Sequence, residues 1–223
     1  MKQDFPNAPK YTTFLGLKKE ALDLISKCTL AKNTISTKGD FYIDSFKMEA
    51  CHIKRASRYK TLYGNAAIGY TSMGKFFGFK LHVLINTQGE VLNFLITPGN
   101  VADNNTLVVQ HLTHFISGNV FGDKGYILNK KLYEKIYKKG VKVVTRQRKN
   151  AKTKLPYLLD DVLKLKKRGL IESVGNILKN SLGLEHSRHR SFTGFFIHIF
   201  STLLAYCFRP KKPSLFHHIP SLP

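Results

Sequence analysis

Residues 76–86 read Phe-Phe-Gly-Phe-Lys-Leu-His-Val-Leu-Ile-Asn, and residues 91–97 read Val-Leu-Asn-Phe-Leu-Ile-Thr, with Thr-Gln-Gly-Glu between them. One face of the first stretch is wholly apolar, and it consists of Phe77, Phe79, Leu81, Val83 and Ile85. Apolar residues at a period of two, followed by a Gly-containing turn and a second apolar run, are typical of a β-hairpin. The stretch therefore predicts two antiparallel strands, and the fold must be built around them.

The remaining predicted elements place this hairpin inside a mixed sheet. They are a helix within 15–25, a strand at 41–46, a helix over about 105–116 capped by Asp103, a strand at 119–121, a helix over about 129–139, a strand at 142–145 and a final helical region. An antiparallel start followed by alternating strands and helices indicates an α/β fold with a mixed sheet flanked by helices. The ribonuclease-H-like fold has this order. We assign it to 37–208, after a short helical N-terminal region (1–36) and before a basic, Pro-rich tail (209–223).

The charge of the chain points to a polyanionic partner. It has 36 Lys and Arg against 14 Asp and Glu, a formal net charge of +22 on 223 residues. Nucleic acid is the expected polyanion, because Lys and Arg release condensed counterions when they contact phosphates. A merely basic soluble protein is the alternative.

Cysteine usage and hydropathy indicate a cytoplasmic protein that does not cross a membrane. Cys28, Cys51 and Cys207 lack metal-ligand spacing and are interpreted as reduced thiols. Met1–Pro6 has no apolar segment of the kind that a secretory signal needs. The longest apolar run, Phe192–Phe208, is about the minimum length for a membrane span, and a buried core helix is the preferred interpretation.

Three carboxylates, Asp44, Asp123 and Glu172, lie within apolar stretches of a chain that has few acids. Asp44 falls on the first strand, and Asp123 follows the end of the fourth. Active sites of open sheets collect at strand ends, so the two aspartates meet if these strands are neighbours. A shared divalent cation would relieve their repulsion, and oxygen-only ligands suit Mg²⁺ or Mn²⁺.

Glu172 lies on a helix whose apolar stripe does not include it. The stripe is Leu170, Ile171, Val174, Ile177 and Leu178. Arg168 and Lys179 point to nearly the same side as Glu172, and Gly175 leaves room for a close approach. This side therefore offers a metal ligand flanked by two phosphate-binding cations.

Each carboxylate also has a simpler interpretation. Asp44 could be a turn residue at the end of its strand, and Asp123-Lys-Gly could be an ordinary turn. Arg168 and Glu172 could form a plain surface ion pair at i, i+4. The combination of all three is what favours a catalytic site.

That combination resembles the DDE transposases of bacterial insertion sequences. The matching features are Asp44 in an Ile-Asp-Ser strand, the segment Asp123-Lys-Gly-Tyr126, and the spacing of Arg168, Glu172 and Lys179. More narrowly, five segments resemble the insertion-sequence-982 family: Phe76–His82, Leu95–Val101, Phe121–Tyr126, Glu185–Ser191 and Ala205–Ser214.

The resemblance implies a DDE catalytic domain that cuts and rejoins DNA. Asp44, Asp123 and Glu172 would be the catalytic residues and would bind Mg²⁺ or Mn²⁺. The partners would be double-stranded DNA, as element ends and target, with a homo-oligomer assembled on the DNA in the prokaryotic nucleoid. Expected DNA contacts are Arg168, Lys179, Arg188, Arg190 and Lys124. The copy is expected to be N-terminally shortened.

Other residues leave alternatives open. His186 and His189 suggest zinc only weakly, because the arginines beside them favour a phosphate contact. Glu185 is a rival third carboxylate. Lys80 and His82 lie opposite the apolar face of their strand, either near the site or at the surface. The alternative functions are an inactive, basic DNA-binding remnant of a transposase and an RNA-binding protein of ribosomal type.

Overall fold

The computed structural model describes residues 6–7, 9–31, 37–72, 74–147, 157–185 and 191–215. The strands are β1 (Lys38–Cys51), β2 (Ala67–Thr71), β3 (Gly74–Asn86), β4 (Val91–Pro98), β5 (Ser117–Gly122) and β6 (Val141–Thr145). The helices are α1 (Tyr11–Glu20), α2 (Leu22–Ala31), α3 (Thr106–Leu112), α4 (Lys130–Tyr137), α5 (Leu159–Lys166), α6 (Gly169–Asn176) and α7 (Phe192–Cys207). Two 3₁₀ turns (Ile53–Arg58 and Lys124–Tyr126) and a π-helical turn (Ile177–Ser181) complete the described structure.

The six strands form one mixed sheet. β3 pairs antiparallel with β1 along one edge, and with β2 and then β4 along the other. β1 pairs in parallel with β5, and β5 in parallel with β6. The predicted ribonuclease-H-like mixed sheet flanked by helices is therefore confirmed, as is the hairpin with which the prediction began.

Apolar side chains cover both faces of this sheet. One face packs against α6 and α7 through a core that includes Tyr42, Phe46, Phe79, Val174 and Phe195. The other face packs against α3 and α4 through a core that includes Phe41, Ile43, Val109, Leu132 and Ile136. Burial on both faces explains why the central strands are almost continuously apolar.

Several element boundaries differ from the prediction. β1 is longer than expected because Met48 and Ala50 extend its buried face beyond Phe46. β2 was missed, since only Gly69 of its five residues is buried and its sequence has no clear alternation. The predicted helix within 15–25 is two helices, and α2 packs against α7.

The apolar run near the C-terminus is a core helix, as preferred. Six residues of α7 are buried, and the Tyr206 hydroxyl donates a hydrogen bond of 2.6 Å to the Gly89 carbonyl in the β3–β4 turn. None of the helices in the described part of the chain is both long and apolar enough to span a membrane. The described part of the tail packs back on the same turn, where the Leu215 N–H donates to the Thr87 carbonyl at 3.0 Å.

Close packing of α6 on β1 requires a glycine at position 175. A β-carbon there would lie 2.5 Å from the Phe46 ring, which is itself buried. We expect Gly175→Ala to lower the free energy of unfolding by about 1–3 kcal/mol, because the ring and helix must separate. Urea unfolding followed by circular dichroism measures this change.

Gly169→Ala, in the same helix, is the matched control. Nothing lies within 4 Å of a β-carbon at this position, so the substitution should be neutral or stabilising. Equal stability of Gly175→Ala and the wild type would show that α6 does not depend on this contact.

Candidate active site

Asp44 and Asp123 lie at the same level on two adjacent parallel strands. The last residue pair between β1 and β5 is Tyr42 with Phe121. Asp44 lies two residues after Tyr42, and Asp123 lies two residues after Phe121. Asp123 comes directly after the end of β5, whereas β1 continues past Asp44 to Cys51, so both carboxylates lie where the pairing of β1 with β5 ends. The charge of Asp123 is one cause of the raised pKa of Asp44, as expected for neighbouring like charges.

Asp44 is mostly buried, with 19% of its side chain exposed. Its Oδ1 accepts the Ser45 N–H at 2.9 Å, and its Oδ2 accepts Arg168 Nη1 at 3.1 Å. The pKa of Asp44 is raised to about 6, chiefly by burial and also by the charges of Asp123 and Asp103, while Arg168 and the Ser45 N–H act to lower it. The surroundings therefore leave the Asp44 carboxylate with negative charge that the protein compensates only in part.

Asp123 is held by the turn that it begins. Its Oδ1 accepts the Gly125 N–H at 2.8 Å and so caps the 3₁₀ turn Lys124–Tyr126. Asp123-Lys-Gly is therefore a turn, as the simpler interpretation predicted. A role of Asp123 in a metal site is compatible with this turn, because the hydrogen bond to Gly125 fixes the orientation of the carboxylate. Tyr126, the last residue of this turn, is buried.

Glu172 is connected to Asp44 through Arg168. Arg168 Nη2 donates to Glu172 Oε1 at 2.8 Å, while Nη1 of the same guanidinium contacts Asp44. The predicted i, i+4 ion pair between Arg168 and Glu172 therefore exists, and it also connects Glu172 to the mostly buried Asp44. Within the described ranges, no three His, Cys, Asp or Glu side chains come close enough together to hold a metal ion. Glu172, with 58% of its side chain exposed, faces Arg168 in this arrangement.

A basic cleft of about 420 Å³ joins Asp123 to Glu172. Its lining includes four cations, Lys124, Arg146, Lys166 and Arg168. Lys124 and Arg168 were predicted DNA contacts, and Arg146 directly follows the end of β6. Lys166 was missed, because nothing in the sequence distinguishes it from other helix-surface lysines.

Lys179, another predicted DNA contact, does not line this cleft. Lys179 lies in the π-helical turn, 3.1 Å from Glu185 Oε1 and 5.3 Å from the centroid of the Phe46 ring. Glu185, the rival third carboxylate, is thus an ion-pair partner of Lys179. Arg188 and Arg190 lie outside the described residues, as do His186 and His189.

Asp103 is a fourth carboxylate beside the site, and its prediction as a helix cap was wrong. Asn105 caps α3 instead, by accepting the Leu107 N–H at 2.9 Å. A β-carbon on Gly125 would lie 2.9 Å from an oxygen of Asp103 and 2.9 Å from an oxygen of Asp123. The two carboxylates therefore approach the same glycine from two sides.

Lys80 and His82 explain how Asp103 is tolerated there. Lys80 Nζ donates to Asp103 Oδ1 at 3.0 Å and to the Val101 carbonyl at 3.0 Å. His82 is fully buried and its Nε2 lies 2.9 Å from the Thr97 hydroxyl; burial lowers its pKa to about 4, so it is neutral at pH 7. A lysine and a histidine on the polar side of a buried strand were the sequence feature that could have predicted a partly buried carboxylate partner such as Asp103.

Comparison with known proteins identifies the family. A family model described as a transposase DDE domain matches residues 34–192. None of the curated proteins matches the sequence. Among solved structures, the chain is similar to one in the crystal structure of the Mos1 strand transfer complex, with a TM-score of 0.26 and 10% identity. That match covers 90% of this chain and 62% of the Mos1 chain, so the present chain spans less than two thirds of its length.

The family match spans well over half of the chain, and it contains Asp44, Asp123 and Glu172. The chain therefore belongs to the DDE-domain transposases.

Proposed function

We propose that this chain catalyses divalent-metal-dependent cleavage and strand transfer of DNA at the ends of an insertion sequence. The observation that carries the proposal is that Asp44 and Asp123 each follow the paired residues Tyr42 and Phe121 by two positions, one within β1 and the other just past the end of β5. Glu172 opens onto the same basic cleft as Asp123. A net charge of +22 supplies the attraction that a DNA substrate requires.

Asp44, Asp123 and Glu172 are the proposed ligands of Mg²⁺ or Mn²⁺. Their donor set fits, because both ions prefer oxygen ligands, and because burial and the charges of Asp123 and Asp103 raise the pKa of Asp44 despite its contact with Arg168. Glu172 joins the set only if it exchanges its hydrogen bond with Arg168 for the metal. When bound, such an ion activates a water or a DNA 3′-hydroxyl and stabilises the leaving oxygen.

Arg168 is proposed to position the carboxylates and bind the substrate. It holds Asp44 and Glu172 on one guanidinium, which ties α6 to the middle of β1. With Lys124, Arg146 and Lys166 it also gives the cleft a phosphate-binding lining. Lys179, Arg188 and Arg190 remain proposed phosphate contacts, and Lys179 would have to leave Glu185 to make one.

The finer assignment is to the insertion-sequence-982 family, and it rests on the five segments that the sequence analysis quotes. Under this proposal the partners are the element ends and a target duplex, and copies of the chain assemble on that DNA. The site of action is the nucleoid in a prokaryotic cytoplasm.

A basic DNA-binding protein without catalytic activity is the second candidate function. One observation favours it: Arg168 already occupies both Asp44 and Glu172, so the carboxylates are partly neutralised without a metal. DNA binding without any cleavage would be the result of this alternative.

Asp123→Asn separates these two functions. We expect it to abolish Mg²⁺-dependent nicking of a duplex that carries the inverted repeats flanking the gene, because the amide is a poorer metal ligand than the carboxylate. A gel assay of nicked product measures the loss, which should be at least a hundredfold.

Asp23→Asn is the matched control, since this exposed aspartate on α2 pairs with Lys27 and does not line the cleft. It should nick at the wild-type rate, and all three proteins should bind the duplex. Equal nicking by Asp123→Asn and the wild type would contradict the proposed catalytic role.

Asp44→Asn should make the metal-free protein more stable at neutral pH. The folded-state pKa of Asp44 is raised from 3.8 to about 6, so its charge is a cost that is full above pH 6 and vanishes below about pH 4. We expect a gain of up to about 3 kcal/mol at pH 7 that disappears as the pH falls from 6 to 4. Urea unfolding at several pH values measures it. Arg168, Asp123 and Asp103 are the charged groups facing Asp44, and they are unchanged in the variant.

The same pair of proteins tests metal binding without an activity assay. Mn²⁺ should stabilise the wild type and not Asp44→Asn, because binding of an ion to the native state alone raises its stability. An identical Mn²⁺ effect on both proteins would place the metal elsewhere.

A further inference from the structure

The segment 52–75, here named the basic arm, carries positive charge without any acid. It contains five Lys and Arg, no Asp and no Glu. All five cations are exposed, and within the described part of the chain none forms an ion pair: Lys54, Arg55, Arg58, Lys60 and Lys75. Unpaired exposed cations on one segment are the electrostatic footprint of a polyanion site.

The sheet topology places the basic arm beyond the catalytic edge. β1 pairs with β5 only as far as Tyr42, passes Asp44 and continues against β3 to Cys51. The arm begins at the next residue. Seven residues of strand from Asp44 to Cys51 span about 23 Å, which equals about seven base pairs of duplex DNA.

The basic arm is built on a fixed scaffold. Leu62 is fully buried, and Ile53, Ala56 and Tyr59 pack against the core that also contains Phe46. The 3₁₀ turn Ile53–Arg58 thus presents Arg55 and Arg58 from an ordered surface. Preorganised side chains lose less conformational entropy on binding than those of a flexible tail.

Two exposed tyrosines accompany the cations. Tyr63 is 75% exposed and Tyr70 is 67% exposed, and Lys75 Nζ lies 5.6 Å from the centroid of the Tyr70 ring. Their hydroxyl groups can donate hydrogen bonds to phosphate oxygens. Such contacts position a strand without reading its sequence.

We infer that the basic arm binds the phosphate backbone of duplex DNA over the roughly seven base pairs next to the scissile phosphate. The position of that phosphate, between Asp44 and Asp123, rests on the proposed function. The arm then acts as a second holding point that fixes the direction in which the duplex leaves the cleft. Its positive charge favours nucleic acid.

Arg55→Gln/Arg58→Gln tests the arm, with Lys138→Gln/Lys139→Gln as a matched control of equal charge. Lys138 and Lys139 are exposed and directly precede Gly140 and β6, at the edge of the sheet opposite the carboxylates. Anisotropy of a labelled 30-base-pair duplex, in Ca²⁺ to prevent cleavage, gives affinity over a salt series. We expect the arm variant to bind about ten- to a hundredfold more weakly and its salt slope to fall by about two. The control should stay within about twofold of the wild type.

Four outcomes would overturn the inference. An unchanged salt slope in the arm variant, or an equal change in the control, means that the arm makes no specific contact with DNA. Hydroxyl-radical footprints that keep the flanking protection in the arm variant lead to the same conclusion. These results leave the proposed function standing, since Asp123→Asn tests it separately. If the wild type binds no duplex, both the inference about the basic arm and the proposed function are contradicted. Circular dichroism of each variant verifies folding.

Discussion

The parallel pairing of β1 with β5 is the constraint on which the site depends. Its register sets Tyr42 opposite Phe121, and Asp44 and Asp123 therefore lie side by side where this pairing ends. Burial of Tyr42 and Phe121 fixes this register, because a slip of one residue would turn these rings toward the wrong face of the sheet. The chemistry of the site is thus set by the same packing that stabilises the fold.

Arg168 partly compensates the negative charge of the carboxylates that this register brings together. Its guanidinium reaches Asp44 and Glu172 at once, yet burial still raises the pKa of Asp44 to about 6. One cation is therefore not enough for this set of carboxylates, to which Asp103 and Asp123 also contribute charge. A divalent ion would satisfy the remaining charge, and Arg168 would then be free to contact the phosphate.

The sequence was sufficient to predict a residue's surroundings where they follow from the apolar periodicity and from the order of the elements along the chain. The alternation in β3 and the position of Asp123 after a short apolar strand predicted the sheet and the meeting point of the two aspartates. The sequence was insufficient where tertiary contacts decide. Asp103 looks like a helix cap, and only the fold shows that Lys80, 23 residues earlier in the chain, pairs with it. β2 was missed because an edge strand with one buried residue has no apolar period. The bridge made by Arg168 was also invisible, since sequence spacing shows its i, i+4 partner but not one that is 124 residues away.

Anomalous scattering from crystals grown with Mn²⁺ tests the central claim most directly, because it locates the ion without requiring activity. We expect one strong peak in the anomalous difference map, in contact with the carboxylates of Asp44, Asp123 and Glu172. In that structure the hydrogen bond between Glu172 and Arg168 should be broken. At saturating Mn²⁺, no peak at this edge of the sheet would contradict the account. A peak that leaves Glu172 on Arg168 would contradict the assignment of Glu172 as a ligand.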